Sequence, residues 1–344
     1  MSLPNNPRAG GQRRARKTAT TRRAKPGATG ASGQPSIYDE VTARIIGELE
    51  AGRVPWVQPW RTGADGAGAG VAMPRNARTG RTYSGINVLI LWGAVIAHGW
   101  PSQGWLTFRQ ALDAGGAVRK GERGTMVVYA DRFVPKADAA QPQGSAALPT
   151  GGEPSDAPRA IPFLKRFTVF NLAQIDGLPE RYCPDPAPLP EREIVPVAED
   201  VIAASGVDFR IGGSQAFYVP ALDLVRVPPQ PAFFDQINYY RTCLHELTHA
   251  TGHAKRLGRD LSHRFGSAGY AREELVAEMG AAFLCAALGI VPTVRHADYL
   301  ASWLAVLKED NRAIFRAASA ASKAADWLLA RHAEARAAAL DMAA

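Results

Sequence analysis

Cysteine is scarce in this 344-residue chain, and long apolar runs are missing. The three cysteines, Cys183, Cys243 and Cys285, are too widely spaced to indicate a disulfide framework, so we expect reduced thiols in a cytoplasmic protein. No apolar stretch approaches the roughly 20 residues that a membrane-crossing helix needs, so no membrane partner is expected. The basic N-terminus leads into proline, glycine and serine rather than an apolar segment, and we therefore expect no secretory signal peptide.

Acidic residues are absent from the start of the chain. The formal net charge is +8, from 40 basic and 32 acidic residues. All of that excess lies before Asp39, the first acidic residue, in Arg8, Arg13, Arg14, Arg16, Lys17, Arg22, Arg23 and Lys25. This basic arm could bind nucleic-acid phosphates, or it could be a solvated leader that aids solubility, and a basic run alone leaves both possibilities open.

Local patterns predict the elements of the first half. Residues 1–35 have the composition of a disordered basic leader. Ser36 and Asp39 resemble a capping box and predict a helix from Ile37 to Ala51. Further helices are predicted at Ile86–His98 and from near Thr107, and strands at Gly124–Pro135 and Phe167–Asn171, with residues 136–160 as a flexible insertion.

A proline-rich linker at residues 181–194 divides the chain into segments 36–180 and 195–344. The second segment is predicted to begin with a helix at Val195–Ala204. Short strands follow at Phe209–Ile211, Ala216–Val219 and Leu222–Val227. Helical patterns then dominate, at Phe234–Gly252, Ala271–Leu288 and Ala297–Glu334.

The clearest functional pattern is the run His245-Glu246-Leu247-Thr248-His249. Residues four apart share one face of a helix, so both histidines can bind one ion, with Glu246 beside them. This is the spacing of the zinc-peptidase helix, in which the glutamate acts as general base on a water molecule. The alternative is an amphipathic helix with two surface histidines, but apolar neighbours favour burial, and buried imidazoles need partners.

A third metal ligand is predicted on the helix near Ala271. Glu274 and Glu278 lie four residues apart on an apolar helix, where a carboxylate pair is costly unless a cation compensates it. We assign Glu274 as the third ligand of a Zn2+ ion, and Glu278 as the acceptor of a hydrogen bond from a ligating imidazole. Glu278 as the ligand stays open, as does Mn2+ or another divalent ion. Glu273 is expected to be solvated.

Several neighbours of the motif are assigned other roles. The metzincin pattern fails because Lys255 stands where its third histidine would be, so His253 is predicted to be structural or to lie at the rim. Cys243 is predicted to be a small buried side chain. The strand before the motif could align a peptide substrate, with Tyr218 and Asp223 facing the cleft, or both could be ordinary strand residues. Tyr270 could be a transition-state donor, but no pattern fixes it there.

Five of the seven tryptophans lie between Trp56 and Trp105, interleaved with basic residues. Aromatic rings in a basic groove are typical of sequence-neutral binding to single strands, although the same residues could form a small core. Trp56 and Trp60 each follow a proline and are predicted to be exposed. Trp92 and Trp105 lie in apolar stretches and are predicted to be core residues.

The glycine-rich turn at residues 115–124 is basic. Its main-chain amides could cradle phosphates, with charge added by Arg119, Lys120 and Arg123. An ordinary surface turn would explain the same pattern.

In order and spacing, the motifs of this chain resemble those of the ArdC-type antirestriction proteins of plasmids and phages. The matching segments of the first half include Pro55-Trp56, Pro74-Arg75-Asn76, Tyr83-Ser84-Gly85-Ile86-Asn87 and Val118-Arg119-Lys120-Gly121. Those of the second half include the histidine motif, Thr251-Gly252-His253 and Glu273-Glu274-Leu275-Val276-Ala277-Glu278. The resemblance covers roughly residues 36–334, without the leader and the 136–160 insertion.

This resemblance implies an α+β fold of two domains. Residues 36–180 would form a small mixed α/β domain that binds single-stranded DNA, and residues 195–344 a zincin-like, mostly helical metallopeptidase domain with a small sheet. The implied function is protection of incoming DNA from host restriction during transfer, with a protein as the peptidase substrate. The predicted DNA-binding residues are Trp56, Trp60, Arg75, Asn76, Arg81, Tyr83, Asn87, Arg119, Lys120 and Arg123.

Two other functions stay open. The first domain is also similar to that of TraC-type conjugative primases, which suggests a replication or conjugation accessory protein with a structural or regulatory zincin domain. The third possibility is a general cytosolic metallopeptidase whose aromatic domain selects protein substrates.

Overall fold

The structure, a computed structural model, describes residues 36–56, 72–133, 161–182, 191–290 and 299–343. The predicted leader, the 136–160 insertion, Trp60 and Cys183 lie outside these ranges. Its helices are α1 Ile37–Glu50, α2 Ile86–His98, α3 Phe108–Asp113, α4 Glu191–Ala204, α5 Gln236–Ala250, α6 Ala268–Ala287, α7 Leu300–Glu309 and α8 Ala313–Ala343. Its strands are β1 Arg75–Asn76, β2 Gly104–Thr107, β3 Ala117–Val118, β4 Thr125–Phe133, β5 Ile161–Asn171, β6 Ile175–Asp176, β7 Asp208–Ile211, β8 Phe217–Val219 and β9 Leu224–Val227.

The first half is built on a four-stranded sheet in the order β1-β2-β5-β4. The two strands predicted on either side of the insertion are confirmed, because β4 and β5 pair antiparallel from Thr125 opposite Val169 onwards. The predicted capping box is also confirmed, since the Asp39 amide donates to Ser36 Oγ at 3.2 Å and the Ser36 amide donates to Asp39 Oδ2 at 3.0 Å. Helix α2 has the predicted bounds and packs against β4.

The second half combines a small sheet with packed helices. Strand β8 lies at the edge of the order β7-β9-β8, antiparallel to β9. Helix α6 packs against α5, α7 and α8. The prediction of one helix from Ala297 to Glu334 is wrong, because the chain is extended at Asp310, whose carboxylate accepts the Arg312 amide at 2.9 Å. None of the described helices is long and apolar enough to cross a bilayer.

The two halves share one apolar core. Trp56 packs edge-on against Trp303 of α7 at 5.4 Å between ring centroids, and Trp92 packs edge-on against Phe283 of α6 at 5.6 Å. The prediction that Trp56 is exposed is therefore wrong: its side chain is 0% exposed because α7 covers it. The burial predicted for Trp92 and Trp105 is confirmed. Stacking of a base on Trp56 would require the shared core to open.

Polar contacts also join the halves. Thr42 Oγ1 donates to the carbonyl of Asn311 at 2.7 Å, and the Gly85 amide donates to Ser322 Oγ at 2.8 Å. Gly85 has a φ of 59°, a left-handed conformation that favours glycine at this turn before α2. The start of α2 is thereby fixed against α8.

Asn87 ties α2 to β4 through both ends of its amide. Its Nδ2 donates to the carbonyl of Val128 at 2.8 Å, and its Oδ1 accepts the Val128 amide at 2.8 Å. Asn87→Ala is expected to lower the free energy of unfolding by about 1–3 kcal/mol, because two partly buried backbone groups lose their partner. Urea unfolding measures this, with the exposed Ser84→Ala as a control expected to change it by less than about 0.5 kcal/mol. A change in Asn87→Ala as small as that of the control would contradict the stabilising role.

Candidate metal centre

Helix α5 presents both motif histidines to the interior. His245 and His249 lie one turn apart, with ring centroids separated by 4.9 Å. The helix packs against α6 on one side and the small sheet on the other, which leaves both side chains largely buried. Glu246 is also buried and lines the same cavity. The alternative of two surface histidines is therefore excluded.

Helix α6 brings Glu274 between the two imidazoles. Glu274 Oε2 lies 3.6 Å from His245 Nε2, and Glu274 Oε1 lies 3.5 Å from His249 Nε2. One ligand atom from each of the three residues lies within 4.8 Å of the others. These separations exceed a normal hydrogen bond and suit three ligands around one ion.

Each histidine turns its other ring nitrogen towards a second carboxylate. His245 Nδ1 lies 3.5 Å from Glu278 Oε1, and His249 Nδ1 lies 3.2 Å from Glu273 Oε1. The position of Glu278 is the one expected for an acceptor from a ligating ring. The prediction that Glu273 is solvated is wrong, since its side chain is only 12% exposed and contacts His249. Carboxylates in such positions orient metal-binding imidazoles.

Arg259 holds Glu273 in place. Its guanidinium donates from Nε to Glu273 Oε2 at 3.0 Å and from Nη2 to Oε1 at 2.8 Å. The same side chain donates to the carbonyl of Thr248 at 2.7 Å and to Thr251 Oγ1 at 2.8 Å, at the end of α5. A paired contact of this kind fixes both position and orientation of the carboxylate.

Close packing of α5 and α6 depends on a glycine. A Cβ atom added to Gly280 would lie 2.5 Å from Cγ2 of Thr248, so a larger residue there would push the helices apart. The histidines and the glutamates come from these two helices, and the separation of the helices therefore sets the width of the site.

Electrostatics bind the cluster together. Burial lowers the pKa of His249, but Glu273 and Glu274 outweigh it and raise that pKa to about 10. Burial likewise opposes charge on Glu274, and the two imidazoles nevertheless hold its pKa well below the usual range. Both shifts favour the charged forms of His249 and Glu274 over the neutral ones. A metal ion that binds here competes with protons for the imidazoles.

A cavity of about 300 Å3 opens on the cluster. Edge strand β8 and the residue before it contribute one wall, through Ala216, Phe217 and Tyr218. Tyr270 and Tyr299 also line it, and their hydroxyls lie 3.4 Å apart. Burial and the neighbouring Tyr299 and Glu274 raise the pKa of Tyr270, so its hydroxyl stays protonated and can donate.

Asp223 organises the turn beside the edge strand rather than facing the cavity. It has a φ of 51°, accepts the Tyr218 hydroxyl at 2.9 Å and pairs with Arg256. His253 Nδ1 lies 3.5 Å from the Asp223 carboxylate, as expected for a structural or rim residue. Cys243 is buried, also as expected, and burial raises the pKa of its thiol.

Several predicted DNA-binding residues are engaged within the first half. Asn76 Oδ1 accepts the amides of Arg78 and Thr79 at 3.1 Å, so it shapes the turn after β1. Arg119 donates to Glu122 at 2.7 Å and to Asp176 at 3.3 Å. The described residues that are exposed and basic among the predicted set include Arg81, Lys120 and Arg123, while Arg75 and Tyr83 are half-buried.

Family comparisons divide the chain as the two halves do. Residues 35–170 match the N-terminal domain of the anti-restriction factor ArdC. Residues 196–320 match a zincin-like metallopeptidase domain. The protein y4eC of Sinorhizobium fredii (strain NBRC 101917 / NGR234) is 44% identical over 308 residues, which cover 87% of this chain and 94% of y4eC. A DNA primase TraC of Escherichia coli is 40% identical over 302 residues, which cover 86% of this chain but 27% of TraC.

Solved structures show the same arrangement. The antirestriction protein ArdC of plasmid R388 in metal-free form has a TM-score of 0.70 and 38% identity, covering 87% of this chain and 98% of that one. Its Mn(II)-bound form has a TM-score of 0.67 and 39% identity, over the same shares of both chains. Both domains are thus present in the order found here.

Proposed function

The chain belongs to the ArdC family of antirestriction proteins, and from that premise we propose that it binds single-stranded DNA during transfer of a mobile element and carries a metal-dependent peptidase site. The observation that supports the peptidase site most strongly is the convergence of His245, His249 and Glu274 beside Glu246. Protection of the incoming DNA from host restriction is the biological role that this family suggests.

The donor set fits a divalent ion. Two imidazoles and one carboxylate are a ligand set of catalytic zinc sites, which keep a further position for water. Glu278 and Glu273 would fix the two rings, because each carboxylate lies within 3.5 Å of an Nδ1 atom. Zn2+ suits these donors, and the R388 relative binds Mn(II), so either ion is a candidate here. When bound, the ion would polarise a peptide carbonyl and activate a water molecule.

The protein residues would supply proton transfer and alignment. Glu246 would take the proton from the attacking water and deliver it to the leaving amine, as a general base and then acid. Tyr270 would donate a hydrogen bond to the developing oxyanion, because its hydroxyl lines the cavity and stays protonated. Edge strand β8 would pair with an extended peptide through its free main-chain groups.

The carboxylates that lie beside the Nδ1 atoms of the two histidines allow a test of the metal site that leaves its three ligands intact. Glu273→Gln is expected to weaken Mn(II) or Zn(II) binding by about 10- to 100-fold, since a neutral amide orients the His249 ring less strongly. Isothermal titration of the purified variant measures the loss. Glu180→Gln, at an exposed position, is the matched control and should bind as the wild type does. Equal affinity in all three proteins would rule out the orienting role.

The second candidate is an accessory protein of replication or conjugation, in which the zincin domain is structural or regulatory. The TraC relatives favour it, because 86% of this chain matches part of two DNA primases, although it spans only 27% and 20% of their length. An assay of plasmid transfer into restricting and non-restricting recipients separates the candidates. Unmodified plasmid should reach a restricting recipient more often when the protein is present, and a non-restricting recipient should show no such gain. An equal gain in both recipients would support the accessory role instead.

A further inference from the structure

A basic cleft of about 800 Å3 lies where the two halves meet. Its walls come from Tyr38 of α1, Leu164 of β5, the segment after α5 and one face of α8. We call it the junction cleft, and its cationic lining residues are Arg256, Arg259, Arg312, Arg316 and Lys323. None of the described residues that line it is acidic. None of the predicted DNA-binding residues that the structure describes is among its lining residues.

The cleft keeps a net positive charge after its ion pairs are counted. Arg256 pairs with Asp223, Arg259 with Glu273, and Arg316 with Asp310. Arg312 and Lys323 have no carboxylate partner among the residues that the structure describes. Both side chains are exposed on α8 or at its start, and they are therefore available to an anion.

Aromatic rings lie among these charges. Tyr38 and Phe315 form an edge-on pair with centroids 4.7 Å apart, and the Arg312 guanidinium lies 4.7 Å from the centre of the Tyr38 ring. A second cavity, of about 210 Å3, shares Arg259 and Arg316 with the cleft and adds Arg272. That cavity also shares Glu273 with the metal cavity, so Arg259 and Glu273 lie between the junction cleft and the metal centre.

We propose that the junction cleft binds the phosphodiester backbone of a single-stranded nucleic acid. Planar guanidinium groups suit phosphate oxygens, and rings beside cations are the combination that single-strand sites use. The proposal rests on the proposed DNA binding and assigns it to residues of both halves. A strand held there would lie beside the peptidase cavity, separated from it by the Arg259–Glu273 pair.

The test is the affinity of the full chain for a fluorescent single-stranded oligonucleotide at several salt concentrations. Replacing Arg312 and Lys323 together by glutamine is expected to weaken binding about tenfold or more at low salt. The slope of log affinity against log salt should become shallower by about 1.4, from about 0.7 for each lost phosphate contact. The matched control replaces Arg331 and Arg336, which are exposed further along α8, and removes the same charge outside the cleft.

A second variant distinguishes loss of the binding site from loss of the fold. Ser319→Asp places a negative charge in the cleft at an exposed helical position, and it should also weaken oligonucleotide binding while its thermal unfolding midpoint stays that of the wild type. If the wild type binds the oligonucleotide and the cleft variants bind it as tightly as the control variant does, the proposal is overturned and the proposed DNA binding stands. No binding by the wild type would overturn both. Displacement of the oligonucleotide by polyglutamate, with equal affinity for both polymers, would also overturn it and indicate an acidic protein partner.

Discussion

Replacing Glu246 by glutamine is expected to reduce peptidase turnover by about 100- to 10,000-fold while metal affinity and fold are kept. Glutamine has the shape of glutamate but cannot accept a proton from water, and Glu246 lines the metal cavity without being one of the three clustered ligands. Cleavage of an unfolded protein such as casein by the metal-loaded enzyme measures turnover, and titration with Mn(II) measures affinity.

The matched control for this prediction is Glu309→Gln, on α7, which should cleave as fast as the wild type. Turnover by Glu246→Gln at the control rate would contradict its role as general base. The same variant separates peptidase activity from protection. If a strain that carries Glu246→Gln still protects incoming plasmid fully, proteolysis is not the source of antirestriction, and the zincin domain serves another role.

Removal of Glu274 is expected to weaken divalent-metal binding by more than about 100-fold. Loss of a carboxylate that only hydrogen-bonds a ligand can already lower metal affinity by about 100-fold, and Glu274 itself contacts both imidazoles. Glu274→Ala and Glu278→Ala should be titrated side by side with Zn(II) and Mn(II). The structure predicts the larger loss for Glu274→Ala, since Glu278 lies on the Nδ1 side of His245, away from the point where the Nε2 atoms converge.

Thermal unfolding of both variants shows whether the fold survives, and Glu309→Ala serves as the control for a glutamate lost elsewhere. A larger loss in Glu278→Ala than in Glu274→Ala would favour the reverse assignment that the sequence leaves open. Equal affinity in Glu274→Ala and the control would remove Glu274 from the metal site.

Sequence periodicity predicted much of this fold because local forces decide it. Helix α2 begins and ends at the predicted residues, since it starts after a glycine turn and ends at Gly99 in the left-handed conformation. The histidine motif also follows from local spacing, because one helical turn puts His245 and His249 on one face. Such features need only the sequence within a few residues of each position.

Long-range contacts account for the failures. Glu273 is expected in solvent because no local pattern connects it with Arg259, which reaches it from the segment between α5 and α6. Trp56 was expected to be exposed because its prolines suggest a loop, whereas Trp303 of the other half covers it. Both partners lie too far along the chain for periodicity to indicate them.

The most direct test is anomalous diffraction from crystals of the full chain grown with Zn(II) or Mn(II). We predict one strong anomalous peak per chain, within about 2.0–2.2 Å of Nε2 of His245, Nε2 of His249 and a carboxylate oxygen of Glu274 for zinc. A loaded protein whose ion lies elsewhere, or whose peak is out of reach of any one of these three residues, would contradict the metal site on which the proposed chemistry depends.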